Sequence, residues 1–438
     1  MTTSSGDVFS KSQPSWYPVY LIIIALAGWA LASYDFNLLV LAMPNIASNL
    51  HLSATLVGLL GFIVYAAETI ITLFVGRGMD RMGRKWMWQF SLAGAAIFTG
   101  LTYFVGNYAE LAVVRALASG FAMSELAISV TLVNEQLGSK YRGLLYSIVQ
   151  GGWPLGVFLA SGAYLAFIHL GWRSVFLIGV FPLIFVIIAR TWVRESDRFL
   201  HIKRVKEALS AHNQSEVDRL LSVYPVDIDE AKKVSWKQLF SSPGYVRRQI
   251  SLLTIVWLAY STSYVATNVY ITYWLTTYDH WKASQAAELL LVAGGIGFFF
   301  YIIGGLLGQR FGRKRVLIGT GILTAPLNLV FLFLHGHAVL YVLYFIIYQV
   351  TNGTWSGAGY AYWGESFPTR VRGTAIGFLG SIFTFGLLLG SFLWTILIAV
   401  TTPVVTWIII AVVIALGQWV AIALPNFKPT AELEDIAV

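Results

Sequence analysis

The chain contains no cysteine, which excludes disulfides and thiolate metal sites from its stability and its chemistry. Charge is scarce too. Asp, Glu, Lys and Arg make up 11% of the 438 residues, against 57% hydrophobic residues and a mean hydropathy of +0.70, a balance that no water-soluble domain has. His169, His335 and His337 fall near helix ends, and neither a metal-ligand cluster nor a nucleophile motif stands in a plausible context. An enzyme is therefore not expected, and neither is a metal or cofactor. The first 16 residues are polar, with Asp7 and Lys11, unlike a cleavable secretory signal, and the apolar segment after them is too long for one. It reads as a retained first membrane span.

Twelve segments reach the roughly 20 apolar residues that a bilayer crossing needs. They lie near 17–43, 54–76, 86–106, 109–133, 144–168, 173–193, 250–277, 285–308, 315–335, 338–362, 373–398 and 403–424, numbered here as spans 1 to 12. This is an all-α polytopic membrane protein. Arg77, Arg81, Arg84 and Lys85, Lys140 and Arg142, the basic 194–248 segment, Arg310 to Arg315, and Arg370 with Arg372 all fall on one side, and the other side has only Arg173 and Lys282. The positive-inside rule then puts both termini in the cytoplasm, and the expected location is the plasma membrane. The net charge of +8 is accounted for by anionic headgroups, without nucleic acid.

The 194–248 segment is the one long polar stretch, with Phe199, Ile202, Val205 and Leu209 spaced as in a short amphipathic helix on the inner surface. It divides the chain into a six-helix half (1–193), a linker (194–248), a second six-helix half (249–425) and a tail (426–438). The halves repeat. Gly83-Arg84-Lys85 matches Gly312-Arg313-Lys314 at an offset of 229, and Glu135 with Arg142-Gly143 matches Glu365 with Arg372-Gly373 at an offset of 230. Two unrelated landmarks at offsets within one residue of each other mark a duplication, and transporters built this way hold substrate near the midplane between halves that rock about it.

The stretch from Ala109 to Gly143 carries Arg115 and Glu125 inside an apolar run. With Asp35 and Glu68, four charges sit clearly inside spans, away from their ends, all in the first half. Such charges cost several kcal/mol, roughly 3 on insertion scales, and are usually functional. By the helical rise, Asp35 and Arg115 share a depth, roughly 12 and 9 Å below the outer end of their spans. A carboxylate beside a guanidinium stays ionised until something breaks the pair. Protonation of Asp35 would free Arg115 to meet an anionic substrate or to let the halves rock; a purely structural tie is the alternative. Glu68 and Glu125 lie deeper, each about 12 Å from the inner surface, and suit groups that load and unload protons, or structural glutamates bonded to a neighbour.

The motif GRGMDRMGRK at 76–85 and the paired landmarks resemble the major facilitator superfamily over nearly the whole chain. The resemblance implies that Asp80, Arg81 and Arg84 latch helix ends, that the second copy with Arg313 is the weaker latch because Gln309 replaces the aspartate, and that Glu135 with Arg142 and Glu365 with Arg372 are gates. Ordinary loop charge with helix capping is the alternative. In sugar porters of this superfamily an acid in span 1 and an arginine in span 4 act as Asp35 and Arg115 would. SYDFNLLVLAMPN at 33–45, Arg115 to Glu125 in an R-x9-E spacing, GWRSVF at 171–176 and GESFPTRVRGTAIGF at 364–378 are similar to the sialate, metabolite and aromatic-acid proton symporters. Departures exist: span 7 lacks the paired glutamines of sugar porters, RESDR stands for PESPR, and Ser33 stands where a second span 1 acid often does.

Arg115, Asn37, Gln150, Trp153, Asn268, Tyr270 and Asn352 are the substrate-binding candidates, with Tyr264, Tyr273, Trp355 and Tyr360 as further inward polar or aromatic residues. Asp35, Glu125, Arg115 and Glu68 are the proton-coupling candidates. The expectation is a monomeric proton-coupled symporter of a small organic anion working by alternating access, with the proton as its only coupling partner. A sugar or polyol symporter is the runner-up. A drug antiporter is less favoured because GGWPLG at 151–156 only partly echoes the antiporter glycine-proline signature, and a non-transporting sensor is the different class.

Overall fold

In the computed structural model residues 14–136, 148–223, 240, 244–367 and 369–425 are described, and they are helical nearly throughout, with no strand among them. Ten helices of the described residues are long and apolar enough to cross a membrane. The other two positions are span 3, whose Arg84–Leu101 helix carries basic residues at its start, and span 10, broken inside. The first half runs through span 1 (Tyr17–Asn49), span 2 (Ala54–Met82), span 3, span 4 (Tyr108–Gln136), span 5 (Ile148–Leu170) and span 6 (Trp172–Trp192). The second half holds span 7 (Gly244–Val269, then Ile271–Thr277), span 8 (Ala283–Phe311), span 9 (Arg313–Phe333), span 10 (His337–Glu365), span 11 (Thr369–Val400) and span 12 (Pro403–Ala423). With no hydrophobic drive between helices in lipid, close approach and internal hydrogen bonds hold them.

The repeat is visible in the backbone. Gly83 and Gly312, 229 residues apart, both turn with positive φ (102° and 96°) between the second and third helices of their halves, a conformation that costs glycine nothing and other residues about 1 kcal/mol or more. The halves differ elsewhere. Span 1 is one continuous helix, whereas its counterpart, span 7, passes into π geometry over Val265–Val269, where the Tyr270 N–H donates five residues back to Val265 (3.0 Å). Span 10 does the same over Tyr348–Thr354, and span 12 over Ile408–Val413. Such breaks inside long helices recur at functional sites.

The linker forms two helices where one was expected. Asp197–Ser210 and Gln214–Val223 pack Val205, Ala208, Val217 and Leu220 against each other, so the apolar face covers a partner helix instead of standing alone. Its root is fixed to the first half. The backbone N–H groups of Arg84 and Lys85 donate to the Glu195 carboxylate (3.0 and 3.1 Å), capping the start of span 3, and Gln136 donates to the Arg194 carbonyl (3.1 Å).

Between the halves, spans 1 and 7, 2 and 11, and 5 and 8 pack in pairs. On the face opposite the basic loops they close tightly: the Tyr270 hydroxyl donates to the Gly58 carbonyl (3.2 Å), the Thr272 hydroxyl donates to the Val40 carbonyl, and a Cβ at Gly58 would come within 3.0 Å of Thr395 Cα and Trp394 Cδ1. Gly58→Trp is expected to hold that face open, because a side chain cannot enter a close-packed helix contact without moving it. In this cysteine-free chain a single Ser356→Cys, lining the space between the halves, should then label at least about threefold faster with a bulky maleimide applied from that face; an unchanged rate would show that the seam is not what closes it.

Candidate functional site

Two features share the interior: charges buried within the first half, and a cavity between the halves. Asp35 and Arg115 are both 0% exposed and bonded to each other. Arg115 Nη1 donates to Asp35 Oδ1 (3.1 Å), and Nη2 donates to Oδ2 (2.9 Å) and to the Asp35 carbonyl (3.1 Å). The Thr99 hydroxyl of span 3 donates to the same carboxylate, and the guanidinium lies 4.8 Å from the centre of the Phe176 ring of span 6. One fork of charge thus ties spans 1, 3, 4 and 6, the geometry under which a buried pair is tolerated. Glu68 of span 2 is buried beside it, feeling the charges of Asp35 and Arg115 with the Ser119 hydroxyl nearby, and neither carboxyl oxygen has a hydrogen-bond partner.

Glu125 is paired with Arg190, near the inner end of span 6. Its Oε1 accepts from Trp88 Nε1 (2.6 Å) and from Arg190 Nη2 (2.6 Å), and the Arg190 guanidinium lies over the Trp88 ring at 4.0 Å. Arg190 stands three residues before the end of span 6 as counted from sequence, where a loop charge is ordinary, so a fifth charge went unrecognised and Arg115 is not the single cation within the spans. Its position inside the 173–193 window was the available signal.

A narrow, tightly lined cavity lies between the halves. The first half contributes Trp29, Gln150 and Trp153; the second contributes Tyr260, Tyr264 and Tyr301, Asn352 and Ser356, and Tyr360 with Phe383. Seven of these ten lining residues are aromatic and none is charged, so the walls favour flat or ring surfaces while neutral polar groups set orientation. Trp153 Nε1 donates across the halves to the Tyr264 hydroxyl (2.9 Å). The Tyr260 and Tyr301 hydroxyls donate to Asn352 Oδ1 (2.9 and 3.3 Å), which the π stretch of span 10 carries into the space. Trp29 Nε1 and Gln150 Nε2 are buried N–H donors with no partner, a state that costs about 1–3 kcal/mol per group unless something accepts from them.

Of the expected binding residues, Gln150, Trp153 and Asn352 line the cavity, as do Tyr264 and Tyr360. Arg115 stands apart in its ion pair. Asn37 donates to the Ser33 carbonyl one turn back (2.8 Å), Tyr270 serves the seam at Gly58, and Asn268 Oδ1 accepts from Asn352 (3.4 Å) just behind the wall. Trp29, Tyr260, Tyr301, Ser356 and Phe383 were not singled out from sequence. Of the gate candidates, Arg84 donates to the Met79 carbonyl (3.0 Å) and Arg313 to the Gly305 carbonyl. Arg142 and the side chains of Asp80, Arg81, Glu135, Glu365 and Arg372 lie outside the described residues.

Residues 25–305 and 257–435 match the family model of the Major Facilitator Superfamily. The chain is 25% identical to a niacin transporter of Acinetobacter baylyi over 83% of either chain, and 26% identical to a cis,cis-muconate transport protein of the same organism over 78% of either. Among solved structures it is similar in fold to a D-xylose–proton symporter, with a TM-score of 0.70 and 16% identity, over 95% of this chain and 100% of that one.

The ion pair makes a stability prediction. Arg115→Gln leaves the Asp35 carboxylate with Thr99 alone and should cost about 3–5 kcal/mol, whereas the double variant with Asp35→Asn should cost clearly less than the two single changes added together. Thermal unfolding of the detergent-solubilised variants measures both.

Proposed function

The chain belongs to the Major Facilitator Superfamily, and from that membership we propose that it is a proton-coupled symporter for a small organic acid. Its termini are both cytoplasmic, on the strength of the loop charges, and in this reading it lies in the plasma membrane and works as a monomer with no cofactor beyond the proton. The observation that carries the reading is the cavity: two of its lining residues, Trp29 and Gln150, have buried N–H donors (Nε1 and Nε2) without acceptors, and seven of its ten lining residues are aromatic. A carboxylate is an acceptor-only group that fits two such donors, and a flat carbon frame fits the wall. The relatives' names, niacin and muconate, are of such acids.

Coupling is supplied by the charges outside the cavity. With Asp35 ionised, Arg115 is held and spans 1 and 4 are pinned together. A proton on Asp35 removes the charge that Arg115 answers, and the guanidinium turns toward Glu68, whose carboxyl oxygens have no hydrogen-bond partner. Spans 1 and 4 are then unpinned, and the halves exchange which face is closed. Here the closed face is the one opposite the basic loops, so the cavity is shut toward the outside. A sugar or polyol symporter is the second reading, favoured by one observation: no charged side chain lines the cavity.

Two measurements on purified protein separate these. Niacin or cis,cis-muconate should raise the melting temperature in proportion to the logarithm of saturation, and xylose should not; stabilisation by xylose alone would favour the second reading. In proteoliposomes Asp35→Asn should retain substrate counterflow and lose proton-driven accumulation by about tenfold or more. Undiminished accumulation would discard the Asp35 switch.

A further inference from the structure

The pair of Glu125 and Arg190 is left unused by the Asp35 switch, yet it is built with care. Glu125 and Arg190 side chains are 2% and 1% exposed, Glu125 Oε1 holds both Trp88 and Arg190, and Glu125 Oε2 and Arg190 Nε and Nη1 have no hydrogen-bond partner. The couple presses on span 1 where there is no side chain: a Cβ at Gly28 would overlap Arg190 Nη2 and Glu125 Oε1. The next residue along is Trp29, which lines the cavity and packs on Trp153 at 5.1 Å between ring centres.

We propose that Arg190 and Glu125 form a second charge couple that positions span 1 at Gly28, so that a proton on Glu125 moves Trp29 and reshapes the substrate cavity. This rests on the proton-coupled reading and adds to it a positioning residue, Arg190, which lies outside the motifs quoted above. The surroundings leave few other candidates for the response. Span 3 faces Glu125 with Trp88, span 6 with Arg190 and span 1 with Gly28. Span 2's one described charged side chain, Glu68, lies with Asp35 and Arg115. With its carboxyl protonated, Glu125 no longer attracts the guanidinium, and the overlap-free seat at Gly28 loses the couple that fills it.

The test needs no substrate, so it fails separately from the reading of what is carried. In the cysteine-free chain, Ser356→Cys reports cavity access by its maleimide labelling rate in proteoliposomes, corrected for the reagent's own pH dependence. Asp35→Asn in the same chain removes the first switch. The labelling rate should still change by about threefold or more between about pH 5 and about pH 8. Adding Glu125→Gln or Arg190→Gln should abolish that change, and Arg190→Lys should keep part of it. A merely structural couple would lower stability in all three variants and leave the pH profile alone, which would overturn the proposal, as would a profile that Glu125→Gln does not alter. Should either Gln variant fail to fold, Gly28→Ala displaces the couple from the other side, and it is expected to flatten the same profile; an unflattened profile there overturns the proposal equally.

Discussion

An ion kept in hydrocarbon must find its counter-charge inside the protein, and the first half of this chain is arranged around that demand. Arg115 could have been neutralised only by a carboxylate at its own depth, and Asp35 on the neighbouring span supplies one with both oxygens, plus a backbone carbonyl. Thr99 and the Phe176 ring then complete the shell. Removing either charge strands the other, at a cost larger than most single packing defects. Four helices are therefore held in one register by one fork of hydrogen bonds.

The second half solves a different problem. Its described spans carry no ionised side chain comparable to Asp35, and the helices opposite spans 1 and 4 give up regular geometry instead. Each π stretch redirects side chains and frees backbone carbonyls, which in lipid is tolerated because neighbouring helices cover it. Thr354 donates to the Gln349 carbonyl (3.0 Å), Tyr344 donates to the Thr267 carbonyl (3.0 Å), and Asn352 is brought between Tyr260 and Tyr301. The duplication thus supplies two frames of one shape, one holding the buried ion pairs and the other supplying most of the cavity wall.

Depth along a helix was legible in the sequence, and direction around it was not. The shared depth of Asp35 and Arg115 follows from residue counts alone, and their pairing needed only that spans 1 and 4 be neighbours. The twelve spans and the glycines that end spans 2 and 8 were equally accessible, because length, apolar runs and an offset of about 230 residues are one-dimensional facts. The cavity wall was less so. Tyr260, Tyr301 and Phe383 look like any aromatic in an apolar helix, and their common direction depends on helix rotation and on π stretches that no short motif announces. Arg190 was hidden for the opposite reason: a cation near a basic loop is what topology leads one to expect, so its burial against Glu125 carries no signature in composition. The single linker helix expected at 194–248 became a hairpin because Val217 and Leu220 offer Val205 and Ala208 a closer apolar partner than the membrane surface.

The separation of charges from cavity constrains how the two can communicate. A charged wall would attract an acid directly but would bind it about equally whichever face was open, and equal binding shifts no equilibrium. In the proposed reading, neutral donors such as Trp29 Nε1 and Gln150 Nε2 would hold a carboxylate less tightly, so that small displacements of span 1 or span 5 would decide whether both reach it. Span 1 carries Asp35 to one ion pair, Gly28 to the other and Trp29 to the cavity, within eight residues, roughly 10 Å of helix. A rigid helix with charges acting on two of its points cannot keep the third still when either changes, so the proposed coupling through span 1 requires no proton to enter the cavity.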